Sequence, residues 1–252
     1  MMNVKGILRV AAVTVLLPFF LASCFKEVVP EVDLSAEELY SKGMAAYHNG
    51  LSSESGAYFK RVMDEHPLDR YAVDSQLMLG ELHYKMANYE DAAAYYTTFV
   101  SMHPGHIKAP YAFFQKGMSH FKLVLASDRD QIETEKALFA FEDFVKSYPD
   151  SPYMGKAGEL MVFLKRRLAE SEFKVGKFYF KMKSYRGALA RFMLVLKDYP
   201  DVGFTDETLY YVGRSYALLG EEGLATETFT TLVKEFPESP FARKAKKKFL
   251  DG

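Results

Sequence analysis

The chain has a single cysteine and no tryptophan. One thiol excludes an intrachain disulfide, so packing must hold the fold together. Neither sign of charge dominates: 32 Lys and Arg stand against 33 Asp and Glu, a formal charge of −1. That balance gives no overall attraction to nucleic acid. Long apolar runs are scarce too. The one at residues 10–21 is about a dozen long, short of the roughly 20 needed to cross a bilayer. Alternating β-branched segments are hard to find, and the glycines never form a phosphate-cradling loop. What is abundant is apolar and ring-bearing: 17 Tyr, 21 Phe and 49% hydrophobic residues. Such a composition is globular, and the lack of alternating β-branched runs favours an all-helical body.

Groups that could converge for catalysis are missing as well. His103 and His106 flank Pro104 and Gly105, which places them in a loop, without Cys or acidic partners at ligand spacing. His48, His83 and His120 are scattered. Glu37-Glu38 and Glu221-Glu222 are adjacent carboxylates that point to different sides of a helix, an arrangement suited to helix N-termini. The sequence is expected to be non-enzymatic, with no metal site and no cofactor.

The N-terminus is an address. Lys5 and Arg9 precede the apolar run, and Leu21-Ala22-Ser23-Cys24 follows it. A cationic start, a short apolar stretch and small residues before a cut define a secretory signal. Leu-Ala-Ser-Cys resembles the bacterial lipobox, which implies cleavage between Ser23 and Cys24 and lipidation of Cys24. An ordinary signal peptide with an incidental cysteine is the alternative. Removal of residues 1–23 leaves 229 residues at a formal charge of −3. Acyl chains would then hold the protein at a membrane, each buried methylene contributing about 0.8 kcal/mol. Residues 24–35 read as a lipidated tether. By resemblance to enterobacterial sorting, Phe25 rather than Asp after the cysteine favours the outer membrane.

Beyond the tether a pattern recurs. Gly80, Tyr89, Ala92, Tyr96 and Pro104 set the offsets, and Gly176, Tyr185, Ala188, Phe192 and Pro200 repeat them. Gly213, Ala225, Phe229 and Pro237 follow, with Glu222 at the aromatic position. A small residue lets two helices approach, an Ala faces the gap, an aromatic fills the space beside it, and Pro ends the second helix. This is the tetratricopeptide (TPR) signature. A first copy carries Gly43, Phe59 and Pro67, with Ser55 in place of the Ala. A third carries Gly117, Ala137, Phe141 and Pro149, with its turn enlarged by eight residues around Ser127-Asp128-Arg129-Asp130. Its first helix is expected to begin at Pro110. Fourteen residues are added before Gly176, and Ser151-Pro152 reads as the start of a helix reaching about Met182. Ser239-Pro240 opens a last helix bearing Arg243, Lys244, Lys246, Lys247 and Lys248, which suits a solenoid cap. The expected architecture is all-α: a right-handed α-solenoid of five TPR-like helical hairpins plus a C-terminal capping helix. Repeats 1–3 occupy residues 36–152, and repeats 4–5 with the cap occupy residues 153–252.

The first helices of TPR units line a concave face. Read from the glycines, its positions here are Tyr40, Met44 and Tyr47, then Leu77, Glu81, Tyr84 and Lys85, then Tyr111, Phe114, Met118 and Phe121. An aromatic groove suits an extended peptide with alternating apolar side chains. Rings at helical spacing equally suit a core.

A lipobox ahead of five such units, the enlarged third turn and the long helix before the fourth resemble the BamD family of outer-membrane lipoproteins. The segments Tyr148-Pro149-Asp150-Ser151-Pro152-Tyr153 and Leu160-Met161-Val162-Phe163-Leu164-Lys165-Arg166-Arg167-Leu168-Ala169 are similar to that family at the same place. The resemblance implies a subunit of the machinery that assembles outer-membrane β-barrels. It implies that the N-terminal groove receives targeting segments of unfolded outer-membrane proteins. It further implies that the C-terminal repeats dock the periplasmic domains of the barrel-forming subunit, BamA, with Arg191 at that junction and other assembly lipoproteins as possible partners. The other reading is a different periplasmic TPR lipoprotein, a pilotin for secretin assembly or a cell-wall coordination factor.

Overall fold

The computed structural model describes residues 33–200 and 202–250. The signal segment, the Ser23–Cys24 cleavage point and Cys24 itself lie outside the described residues. Residues 35–252 form one compact unit, and its described part is helical, with no strand among the described residues.

Helices come in antiparallel pairs. The first pair is α1 (Ala36–His48) with α2 (Ser52–Glu65), and the second is α3 (Arg70–Lys85) with α4 (Tyr89–Met102). Then come α5 (Ala109–Lys122) with α6 (Ile132–Ser147), and α7 (Met154–Lys181) with α8 (Tyr185–Asp198). The pair α9 (Thr205–Leu219) and α10 (Glu222–Glu235) precedes α11 (Pro240–Ala245), which runs into a π-helical turn at Lys246–Leu250. Each helix packs on the next, so the TPR-like solenoid expected from the repeats is the observed fold.

Local chemistry explains the boundaries. Ser35 caps α1 in a capping box: its Oγ accepts from the Glu38 N–H, and the Glu38 carboxylate accepts from the Ser35 N–H. Four of the five pairs turn on a left-handed residue, Gly50, Ala87, Lys183 or Gly220, with φ between 60° and 81°. All five second helices end on a ring residue followed by proline: His66, His103, Tyr148, Tyr199 and Phe236. The proline ring drives the residue before it out of the helical region, and the chain leaves on cue.

Two boundaries differ from the sequence reading. Helix α5 begins at Ala109, one residue before Pro110. Helix α7 begins at Met154, because the Ser151 Oγ accepts from the Tyr153 N–H within a turn and caps no helix. The Tyr153 ring instead stacks on Phe114 at 4.9 Å, which holds Pro152 and Tyr153 against α5.

The core is a series of clusters handed from pair to pair. One joins α5, α6 and α7 through Phe114, Phe141, Phe144, Leu160 and Leu168. The next starts at the adjacent Ala169 and joins α7 to α8 and α9 through Phe173, Phe192 and Val212. With 28 residues, α7 serves both clusters, and at 1.5 Å per residue it spans about 42 Å. The enlarged third turn reaches the same helix, where the Lys174 Nζ donates to the buried Ser127 Oγ at 2.8 Å.

Candidate functional site

One register organises the first-helix face. Relative to each close-packing glycine, position −3 holds Tyr40, Leu77, Phe114, Phe173 and Tyr210. Position +1 holds Met44, Glu81, Met118, Lys177 and Arg214, and position +4 holds Tyr47, Tyr84, Phe121, Phe180 and Ala217.

In the N-terminal half this face contains an open cleft of about 540 Å³. Its walls come from Tyr47 on α1, Leu77, Met78 and Glu81 on α3, and Pro110 and Tyr111 on α5. Ile107 and Lys108 close one side, and Pro152 and Tyr153 the other. Three helix pairs and the entry to a fourth therefore meet at one place.

The polar groups of the cleft are linked. The Tyr111 hydroxyl donates to the Glu81 carboxylate, and the Gln115 Nε2 donates to the Tyr111 oxygen at 2.8 Å. Burial, helped by the Glu81 carboxylate, pushes the Tyr111 phenol up. Beneath them the buried Tyr96 ring fills the space beside Gly80, and its phenol is raised by burial first and by Glu81 second. Two lysines are held at the rim. The Lys85 Nζ lies 4.3 Å from the Tyr47 ring centroid and donates to the Tyr47 carbonyl, while Lys108 pairs with Asp74 at 3.2 Å.

Of the face positions read from sequence, the structure gathers Tyr47, Leu77, Glu81 and Tyr111 into this cleft, with Leu77 3% exposed in its floor. The others lie elsewhere. Tyr40 is half-buried between Phe59 and Tyr71, Met44 is half-buried on α1, and Tyr84 meets Tyr89 edge-on at 5.2 Å. Phe114 is a correction: expected on the groove, it is 8% exposed, enclosed by Phe141, Phe144 and Tyr153. Met118 and Phe121 are partly buried against the same cluster, and Phe121 meets Phe163 of α7 at 5.6 Å. The cluster that encloses them is built from α6 and α7 together, with Tyr153 just ahead of α7.

Sequence reasoning missed Met78, Ile107, Lys108, Pro110, Pro152 and Tyr153. Of these, only Pro152 and Tyr153 carried a signal, lying in a segment quoted for the family resemblance. Arg191, on α8, donates from Nη1 to the Glu172 carboxylate of α7 at 2.9 Å, a single-nitrogen contact on a side chain 41% exposed. No group of three or more metal-ligating side chains occurs among the described residues. No helix among them is long and apolar enough to cross a membrane.

Comparison with known proteins agrees with this architecture. The sequence profile of the YfiO family, described as "Outer membrane lipoprotein", matches residues 32–228. The outer membrane protein assembly factor BamD of Caulobacter vibrioides is 31% identical over 201 residues, covering 80% of this chain and 66% of that protein. The BamD of Rickettsia prowazekii is 26% identical over 201 residues, 80% of each chain. That of Neisseria meningitidis serogroup A is 29% identical over 219 residues, 83% of this chain and 82% of the relative. Matched along most of its helical repeats by that profile and these relatives, the chain belongs to the YfiO/BamD family of outer membrane lipoproteins.

Proposed function

We propose that this chain is a lipid-anchored, non-enzymatic subunit of the machinery that assembles outer-membrane β-barrel proteins, and that its cleft holds a stretch of unfolded barrel polypeptide. The observation that carries the reading is the cleft bounded by Tyr47, Leu77, Tyr111 and Tyr153. Flat rings around an open slot offer large apolar contact at little cost in side-chain entropy, which suits the alternating apolar side chains of a strand-forming segment. The linked Glu81 and Tyr111 add a polar point at which a backbone N–H or side-chain donor can be met.

In this reading residues 1–23 are the removed signal, Cys24 carries the lipid at the periplasmic face of the outer membrane, and residues 24–35 are the tether. Residues 36–152 handle substrate. Residues 153–252 dock the periplasmic domains of the barrel-forming subunit, BamA, with Arg191 at the junction. Family membership supports the assignment to outer-membrane protein assembly, and the relatives' names supply the process.

The test is direct binding. A labelled peptide from the C-terminal end of an outer-membrane barrel is titrated with the full mature chain, followed by fluorescence anisotropy. Tyr47→Ala should weaken binding by about tenfold, the loss expected for a central aromatic anchor. Tyr58→Ala, on the second helix α2, should not. Equal affinity for Tyr47→Ala and the parent, with helicity intact, removes the reading.

A further inference from the structure

Past α5 the same register changes its chemistry. Position +1, occupied by Met44, Glu81 and Met118 in the first three repeats, becomes Lys177 and then Arg214. Both cations lie over rings of their own face. The Lys177 Nζ is 5.4 Å from the Phe173 centroid and 5.2 Å from that of Tyr211. The Arg214 guanidinium is 4.8 Å from Phe180 and 5.8 Å from Tyr210. The capping helix continues the row, with the Lys244 Nζ 5.2 Å from the Tyr210 ring.

We infer that the first-helix face from the second half of α7 through α9 to α11 is a docking stripe for an acidic polypeptide segment, held by Arg214 and Lys244. Charge complementarity selects the occupant. Lys177 already meets the Glu207 carboxylate at 3.2 Å, so its charge is satisfied within the chain. Arg214 and Lys244 face no carboxylate at ion-pair distance among the described residues. Arg214 is also half-buried, flattened against two rings. A guanidinium partly stripped of water and lacking an anion is the group that gains most when a carboxylate arrives, and its planar fork can take both oxygens. The rings hold the cations in place by their negative faces, which lowers the ordering cost of binding.

A polypeptide fits better than a lipid surface. A headgroup plane reaches side chains that project from the protein, such as the exposed Lys246 and Lys247 of the terminal turn. Arg214 is half-buried beside Phe180 and Tyr210, so a partner must bring its carboxylate down to the rings rather than meet a projecting charge. The stripe does not include Arg191, which lies on the second helix α8, so the inference is independent of the docking role given to that residue.

The experiment uses the full mature chain and fluorescein-labelled octaglutamate, with octaglutamine as the uncharged comparison, read by anisotropy at low and high salt. Octaglutamate should bind at low salt and octaglutamine should not. Arg214→Gln and Lys244→Gln should each weaken octaglutamate binding by about fivefold. Arg214→Lys, which keeps the charge but loses the fork, should weaken binding less than Arg214→Gln does. Lys197→Gln, exposed on α8, and Tyr47→Ala in the N-terminal cleft should change nothing. Should Arg214→Gln fold poorly, the exposed Lys244→Gln carries the test alone. The inference is overturned if octaglutamate fails to bind, or if Lys197→Gln weakens it as much as Lys244→Gln does. It is also overturned if Lys244→Gln spares octaglutamate binding while releasing the chain from phosphatidylglycerol vesicles.

Discussion

The ring of Phe141 occupies the space that a side chain on Gly117 would need. A Cβ built on Gly117 would lie 2.6 Å from the Phe141 Cε1. The relationship recurs between Gly43 and Phe59, Gly80 and Tyr96, Gly176 and Phe192, and Gly213 and Phe229, with ring atoms 2.5–2.9 Å from the missing Cβ. The glycines are therefore sockets for the second helix's aromatic ring, and the rings in them are buried.

Gly117→Ala should destabilise the fold although alanine is the better helix former. Propensity favours the substitution by about 1 kcal/mol, whereas overpacking a filled core costs about 1–3 kcal/mol. Phe141 lies between α5 and α7 and has little room to yield. Gly158, exposed on α7 with no atom within 4 Å of its missing Cβ, is the contrast: Gly158→Ala should gain about 1 kcal/mol. Chemical denaturation of the two variants should give shifts of opposite sign.

Turn conformation gives a second prediction. Ala87 and Lys183 adopt φ of 60° and 61° at the place where Gly50 and Gly220 stand in other pairs. A Cβ is disfavoured there, and glycine adopts the same backbone freely at some cost in unfolded-state entropy. Ala87→Gly and Lys183→Gly should each raise stability by about 0.5–1 kcal/mol, while Gly220→Ala should lower it by a similar amount. Thermal melts of the three single variants would check the signs.

These features show why so much of the fold could be read in advance. The glycine–aromatic spacing is sixteen residues in four of the five pairs, and the ring-plus-proline ending is local chemistry that a sequence displays directly. The site was less legible, because it depends on what covers a repeat rather than on the repeat itself. Phe114 has the same register as Leu77 and both are buried, but Leu77 still floors the cleft whereas Tyr153 stacks over Phe114. Ser151-Pro152 carries a helix-start signal, yet the stack of Tyr153 on Phe114 delays α7 to Met154. The change from Glu81 to Lys177 and Arg214 is visible in the letters, but only the cation–ring distances show that these charges are fixed on the face.

The turn between α5 and α6 is fastened by a carboxylate with a definite pH dependence. Burial raises the Glu133 carboxyl, but hydrogen bonds from Lys136 and His120, both at 2.7 Å, outweigh it and hold the group below its ordinary value of 4.5. A depressed carboxylate contributes stability that is present above its unfolded pKa and is lost as pH falls through the folded one. Glu133→Gln should therefore lower the melting temperature at neutral pH. The difference from the parent should shrink once the pH falls below about 4.5. A gap that stays constant to strong acid would show that the charge contributes nothing.

Arg191 offers a prediction in which two roles can be separated. Its guanidinium is held by Glu172, and both side chains are partly exposed, so the pair itself contributes less than about 1 kcal/mol to folding. If Arg191 acts by presenting charge to BamA, Arg191→Glu should abolish co-purification, while Glu172→Gln frees the guanidinium and leaves co-purification intact or stronger. If Arg191 serves only to tie α8 to α7, both substitutions should weaken docking alike, in step with a common loss of thermal stability. The docking role assigned to Arg191 predicts the first pattern. Measuring co-purification beside the melting temperature of each variant distinguishes them, because a purely structural loss would follow stability and a contact loss would not.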